Sequence, residues 1–79
     1  MMMRLTLTTE RARQKVIDFV GEKNVMRMIP LEGMEKFSVD CVLNNIAITS
    51  ENNTIFLIDT VNKVRMELFV TEYLVIKIF

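Results

Sequence analysis

The sequence predicts an α+β fold, one N-terminal helix packed on a mainly antiparallel β-meander sheet of five to seven strands. Three observations carry this expectation. The last third reads as three consecutive strands, Thr54–Thr60, Lys63–Phe69 and Tyr73–Phe79. A helical apolar stripe, Ala12, Val16, Ile17, Phe19 and Val20, precedes them. Asn44–Asn45 and Asn52–Asn53 stand where two-residue hairpins need positive φ, which Asn tolerates. A small curled or closed β-barrel with one helix is the alternative, because one helix cannot cover both faces of a sheet.

Taken in order, Met3, Leu5 and Leu7 alternate with Arg4, Thr6 and Thr8, the period of a first strand. Thr8 or Thr9 is the N-cap of a helix from about Glu10 to Glu22, and Glu10 suits the positive end of its dipole. Gly21 and Asn24 supply the stop. Val25–Ile29 reads as a second strand stopped by Pro30, and Leu31–Glu35 as a loop. The first two strands are then either parallel neighbours joined by a right-handed crossover or separated in the sheet.

From Phe37 onward the turns set a register. Cys41 is expected opposite Ile48, Ile48 opposite Leu57, and Leu57 opposite Leu68. Leu43 follows with Ile46, Ile46 with Asp59, and Asp59 with Met66. For the last hairpin, a three-residue loop at Val70–Glu72 pairs Leu68 with Leu74, Met66 with Ile76 and Val64 with Ile78. A one-residue slip would exchange the faces. One face of this sheet is apolar from Phe37, Val39, Cys41 and Leu43 through to Leu74, Ile76 and Ile78, and takes the helix. Val61 and Val64 fall on it as well. Arg13, inside the helix stripe, and Asp59, on the apolar face, are expected to form an ion pair that fixes helix docking.

The opposite face is polar on the earlier strands and apolar on the last three. Phe56, Ile58, Phe69, Tyr73, Val75 and Phe79 form a patch rimmed by Arg65, Glu67 and Lys77. Such a patch is the mark of an interface. Two structural explanations compete with that reading: the patch is the inside of a barrel, or the first strand or the Leu31–Glu35 loop folds over it.

Composition bounds the function. The chain has 79 residues, one domain spanning 1–79. A domain this small buries only about 60% of its unfolded surface, so a core shared with a second copy is an advantage. The net charge is zero, which disfavours an obligate nucleic-acid or membrane-surface binder. One cysteine, Cys41, allows no internal disulfide, and a cytoplasmic location is expected. There is no apolar run of about 18 residues and no signal-peptide pattern. The sequence has no histidine, the commonest general base and metal ligand. Cys41 reads as a core residue, Asp18 and Glu22 as a solvated helix face, and the two glycines are isolated. No catalysis, cofactor, metal or small-molecule ligand is expected.

The sequence therefore reads as a small protein-interaction module. It is expected to be a homodimer or to have a protein partner, engaged through Phe56, Ile58, Phe69, Tyr73, Val75, Phe79, Arg65 and Lys77 or through an edge strand. One alternative is single-stranded nucleic-acid binding, with Phe56, Phe69 and Tyr73 stacking on bases. The other is a phage-like accessory or inhibitor protein that acts on a larger one.

Overall fold

A computed structural model describes residues 1–31 and 36–79 of the chain. Among them are seven strands, β1 (Met2–Leu7), β2 (Val25–Leu31), β3 (Lys36–Val42), β4 (Ile46–Glu51), β5 (Thr54–Asp59), β6 (Val64–Leu68) and β7 (Tyr73–Ile78). One helix, α1 (Glu10–Val20), follows β1. The fold is α+β, as the sequence predicts, with no closed barrel among the described residues. The strands form two antiparallel sheets rather than one meander. A four-stranded sheet has the order β2-β3-β1-β7, and a three-stranded sheet the order β4-β5-β6.

Thr9 caps α1 in an extended conformation, and its hydroxyl accepts the Ala12 N–H at 3.0 Å. Gly21 ends the helix at φ 91, a value that L side chains rarely adopt, and its N–H donates to the Ile17 carbonyl. A short 3-10 turn, Glu22–Asn24, replaces the last helical turn expected. The Asn24 amide donates to the Val20 carbonyl at 2.7 Å and accepts from Asn44 at 3.1 Å, tying the helix end to the β3–β4 connection.

Both edges of β3 are occupied, by β1 and by β2. β1 and β2 thus run in the same direction with β3 between them, the separated form of the crossover. No edge of β3 remains for β4, so the expected pairings of Cys41 with Ile48 and Leu43 with Ile46 are not made. Asn45 does adopt φ 59, but its turn carries the chain from one sheet to the other. The Leu43 N–H donates to the Met1 carbonyl, and the Thr60 N–H to the Asn45 carbonyl.

The Asn52–Asn53 hairpin forms as expected, with φ 51 and 64, and sets Ile46 opposite Asp59 and Ile48 opposite Leu57. The next turn is longer than the two-residue loop, Asn62–Lys63, that pairing Leu57 with Leu68 requires. Lys63 takes φ 61, Asp59 pairs with Val64, and Leu57 with Met66. The register therefore differs by two residues from the one expected. An even slip keeps each side chain on its face, so Leu57, Met66 and Leu68 still point inward. Val61 and Val64 lie at this turn and are exposed.

The largest departure is β7. It forms no ladder with β6 and instead pairs with β1, Leu5 opposite Ile76 and Thr6 opposite Val75. The turn before it explains the diversion. Glu72 accepts the Phe69 N–H and the Lys15 ammonium, while the Thr8 N–H and hydroxyl donate to the carbonyls of Glu72 and Thr71. Those bonds hold the chain at the junction of β1 and α1, where the free edge of β1 takes up β7. Pro30 does not end β2 either, because an edge strand tolerates a missing ladder N–H. Residues 32–35 of the loop expected at Leu31–Glu35 lie outside the described residues.

One core joins the layers. Met3, Leu5 and Leu7 of β1 meet Val39 and Cys41 of β3, Ala12, Val16 and Val20 of α1, and Leu57 and Leu68 of the smaller sheet. The helix packs on β3, β1 and β6, so it contacts both sheets. Cys41 is buried, and burial first, then Asp40, pushes its thiol up to about 11. It is a core hydrophobe, as its place in the sequence implies. The Arg13–Asp59 ion pair is not formed. Arg13 lies over the Phe37 ring and bonds Glu10 at 3.1 Å. Asp59 instead accepts the N–H groups of Val61 and Asn62 in its own turn.

Candidate interaction surfaces

The eight residues singled out in the sequence are distributed over two sheets and a turn. Phe56 and Ile58 on β5, with Arg65 on β6, share the outer face of the three-stranded sheet, where the Arg65 guanidinium covers the Phe56 ring at 5.1 Å. Val75, Lys77 and Phe79 belong to the outer face of the four-stranded sheet. Phe69 sits in the turn before β7, beside the Lys15 ammonium. Tyr73 packs against the core, and its hydroxyl donates to the Asn53 carbonyl at 3.1 Å. The patch assumed a β6–β7 ladder. Without that ladder Phe56 and Val75 look out from different sheets.

What the rearrangement creates is an open edge. β7 is the last strand of its sheet, and Leu74 (55%), Val75 (55%), Ile78 (46%) and Phe79 (57%) are exposed along it. One hydrogen bond sets its phase. The Phe79 N–H donates to the Met2 carbonyl at 2.9 Å, so Phe79 is a hydrogen-bonded partner of Met2. Lys77 opposite Arg4 and Val75 opposite Thr6 share that phase. The residues between them, Ile76 and Ile78, turn their N–H and C=O groups away from β1, onto the free edge. The register shifts at Thr6/Leu7, leaving Leu74 as the extra residue of a bulge.

The other edges are blunted in familiar ways. β2 carries Pro30 and a register shift between Val25 and Arg27. β4 ends on the polar, exposed run Thr49–Ser50–Glu51. β6 places Arg65 and Glu67 on its outer face. β7 has Lys77 as its one charge.

Two further features complete the surface. Arg4 and Asp40, opposite each other on β1 and β3, form a two-pronged ion pair with contacts of 2.7 and 3.0 Å on the outer face of the four-stranded sheet. Phe79 stands beside it, its ring 5.3 Å from the Arg4 guanidinium carbon and 5.6 Å from the Lys77 ammonium. A groove of about 630 Å³ lies between α1 and β2, lined by Arg13, Ile17, Asp18, Glu22, Val25 and Met28. Sequence reasoning missed the Arg4–Asp40 pair because it depends on β1 lying beside β3. The only signal was that both charges fall on the outward phase of strands whose alternate residues are apolar.

No family model, curated protein or solved structure matches the chain. Among the described residues no helix is long and apolar enough to cross a membrane, and no group of three His, Cys, Asp or Glu is placed to hold a metal ion.

Proposed function

We propose that this protein is a non-catalytic protein-interaction module that self-associates by adding β7 of one copy to β7 of another. The observation that carries the reading is the free edge at Ile76 and Ile78, flanked by exposed Leu74, Val75 and Phe79. Unpaired strand edges recruit further strands, with the backbone supplying affinity and the side chains register. The absence of histidine from the sequence agrees with a non-catalytic role.

The geometry favours one register. A two-fold axis through Ile76 sets Ile76 opposite its own copy and Ile78 opposite Leu74 of the second copy. On each copy Ile76 and Ile78 then offer N–H and C=O groups that β1 leaves free. Lys77 falls opposite Val75 of the second copy, so no like charges meet. The result is a continuous eight-stranded sheet with β7 at its centre. A small domain that buries little surface alone would gain apolar contact on both faces.

Light scattering over a concentration series tests this. The wild type is expected to approach twice the 9.2 kDa chain mass as concentration rises. Ile78→Pro removes an outward N–H and leaves the β1 ladder whole, so it should stay monomeric and folded. A wild type that remains monomeric throughout contradicts self-association. A dimeric Ile78→Pro contradicts the edge.

A further inference from the structure

The register of the four-stranded sheet lines up charges that are scattered in sequence. Arg27 lies opposite Asp40, Asp40 opposite Arg4, and Arg4 opposite Lys77. One row thus crosses all four strands with three cations and one acid, on a chain whose net charge is zero. Three strand spacings of about 4.8 Å make it about 14 Å long. Asp40 is buried beneath its contacts and fully engaged by Arg4, so it presents no free carboxylate to a ligand. Arg27 and Lys77 have no ion-pair partner among the described residues. The neighbouring row, Ile29–Ser38–Thr6–Val75, is uncharged. Phe79 closes the end of the charged row: its ring has Arg4 and Lys77 lying over it and is otherwise exposed, at 57%.

We propose that this face binds single-stranded nucleic acid, with phosphates on Arg27 and Lys77 and a base stacked on Phe79. The charge pattern is complementary to a polyanion, and the aromatic ring at its end distinguishes a nucleic acid from other polyanions. Sheet faces that carry cations beside aromatic rings bind single strands in this way, the cations tracking the backbone and the rings taking bases. The face differs from the one that the sequence suggested for this ligand, since Phe56, Phe69 and Tyr73 take no part. The row is complete within one copy, so the inference is independent of β7 pairing.

The test is fluorescence anisotropy of a labelled oligothymidylate of about 12 nucleotides, long enough to span one such site. The folded wild type should bind at low salt and weaken as salt rises. Arg27→Glu/Lys77→Glu should bind at least about ten-fold more weakly. Lys23→Glu/Lys63→Glu, with the same change in net charge away from the row, should stay within about three-fold. Arg27→Gln should make the slope of log affinity on log salt shallower by about 0.7, the value for one phosphate contact on a single strand. Should the charge reversals fail to fold, Arg27→Gln/Lys77→Gln reads the same loss. The proposal is overturned by a wild type that does not bind at low salt, or by equal losses in the two double variants. Binding to vesicles containing anionic lipid without binding to the oligonucleotide overturns it as well.

Discussion

Arg4 and Asp40 couple the fold to pH. Hydrogen bonds from Arg4 hold the Asp40 carboxyl below its ordinary value of 3.8, against the opposing effect of burial, and the charges of Arg4 and Arg27 lower it further. Asp59 is lowered by the N–H and side-chain amide of Asn62, and by Val61. For Glu72 burial acts upward, but the Phe69 N–H and Lys15 outweigh it and the net shift is down. A carboxyl whose folded pKa is depressed binds fewer protons folded than unfolded. Its contribution is complete above the unfolded value and is lost as pH falls through the folded one. Thermal melts followed by circular dichroism should therefore be flat from about pH 7 to about pH 5 and fall steeply below about pH 4. Asp40→Asn should make that fall shallower; an unchanged acid limb would remove Asp40 from the account. At this scale the sequence was least legible. Arg13 and Asp59 both fall on inward phases, which is the sole sequence signal for their pairing. Each found a nearer partner instead, Glu10 three residues away and the Asp59 turn's own N–H groups.

Turns decided how far each element was predictable. Asn52–Asn53 closed a two-residue hairpin from local chemistry alone, and the β4–β5 register followed. Asn45 also takes the expected conformation, yet its turn joins two sheets, because β1 and β2 occupy both edges of β3. Local preference states how a chain can bend, and long-range competition for strand edges states what it meets afterwards. β7 shows the same competition. Its pattern allowed pairing with β6, but Glu72, Lys15 and Thr8 anchor its start beside β1. The β5–β6 turn gives a test at this scale. Lys63 holds φ 61, which disfavours a side chain with Cβ and suits glycine. Lys63→Gly should raise stability in urea denaturation by up to about 1 kcal/mol. A loss of that size would contradict the turn conformation.

The described residues form a four-stranded and a three-stranded sheet that share one core with α1. The apolar and polar faces of most strands were legible, because strand alternation survives any even change of register. Leu57, Leu68, Val39 and Cys41 are buried as expected, while Phe56 and Ile58 remain on the outward phase. The arrangement of strands into two sheets was not legible, since it depends on which edge each strand reaches. That arrangement moved the candidate surface from a single aromatic patch to the edge of β7. It also assembled the cation row from β2, β1 and β7, whose charges are far apart in sequence.

Amide hydrogen exchange read residue by residue at low and high protein concentration tests the proposed association most directly. In a monomer the Ile76 and Ile78 N–H groups face solvent, while those of Val75 and Lys77 bond to β1. Ile76 and Ile78 are expected to exchange fast in dilute solution and to become protected as concentration rises, with Val75 and Lys77 protected throughout. Fast exchange at Ile76 and Ile78 at every concentration would contradict it.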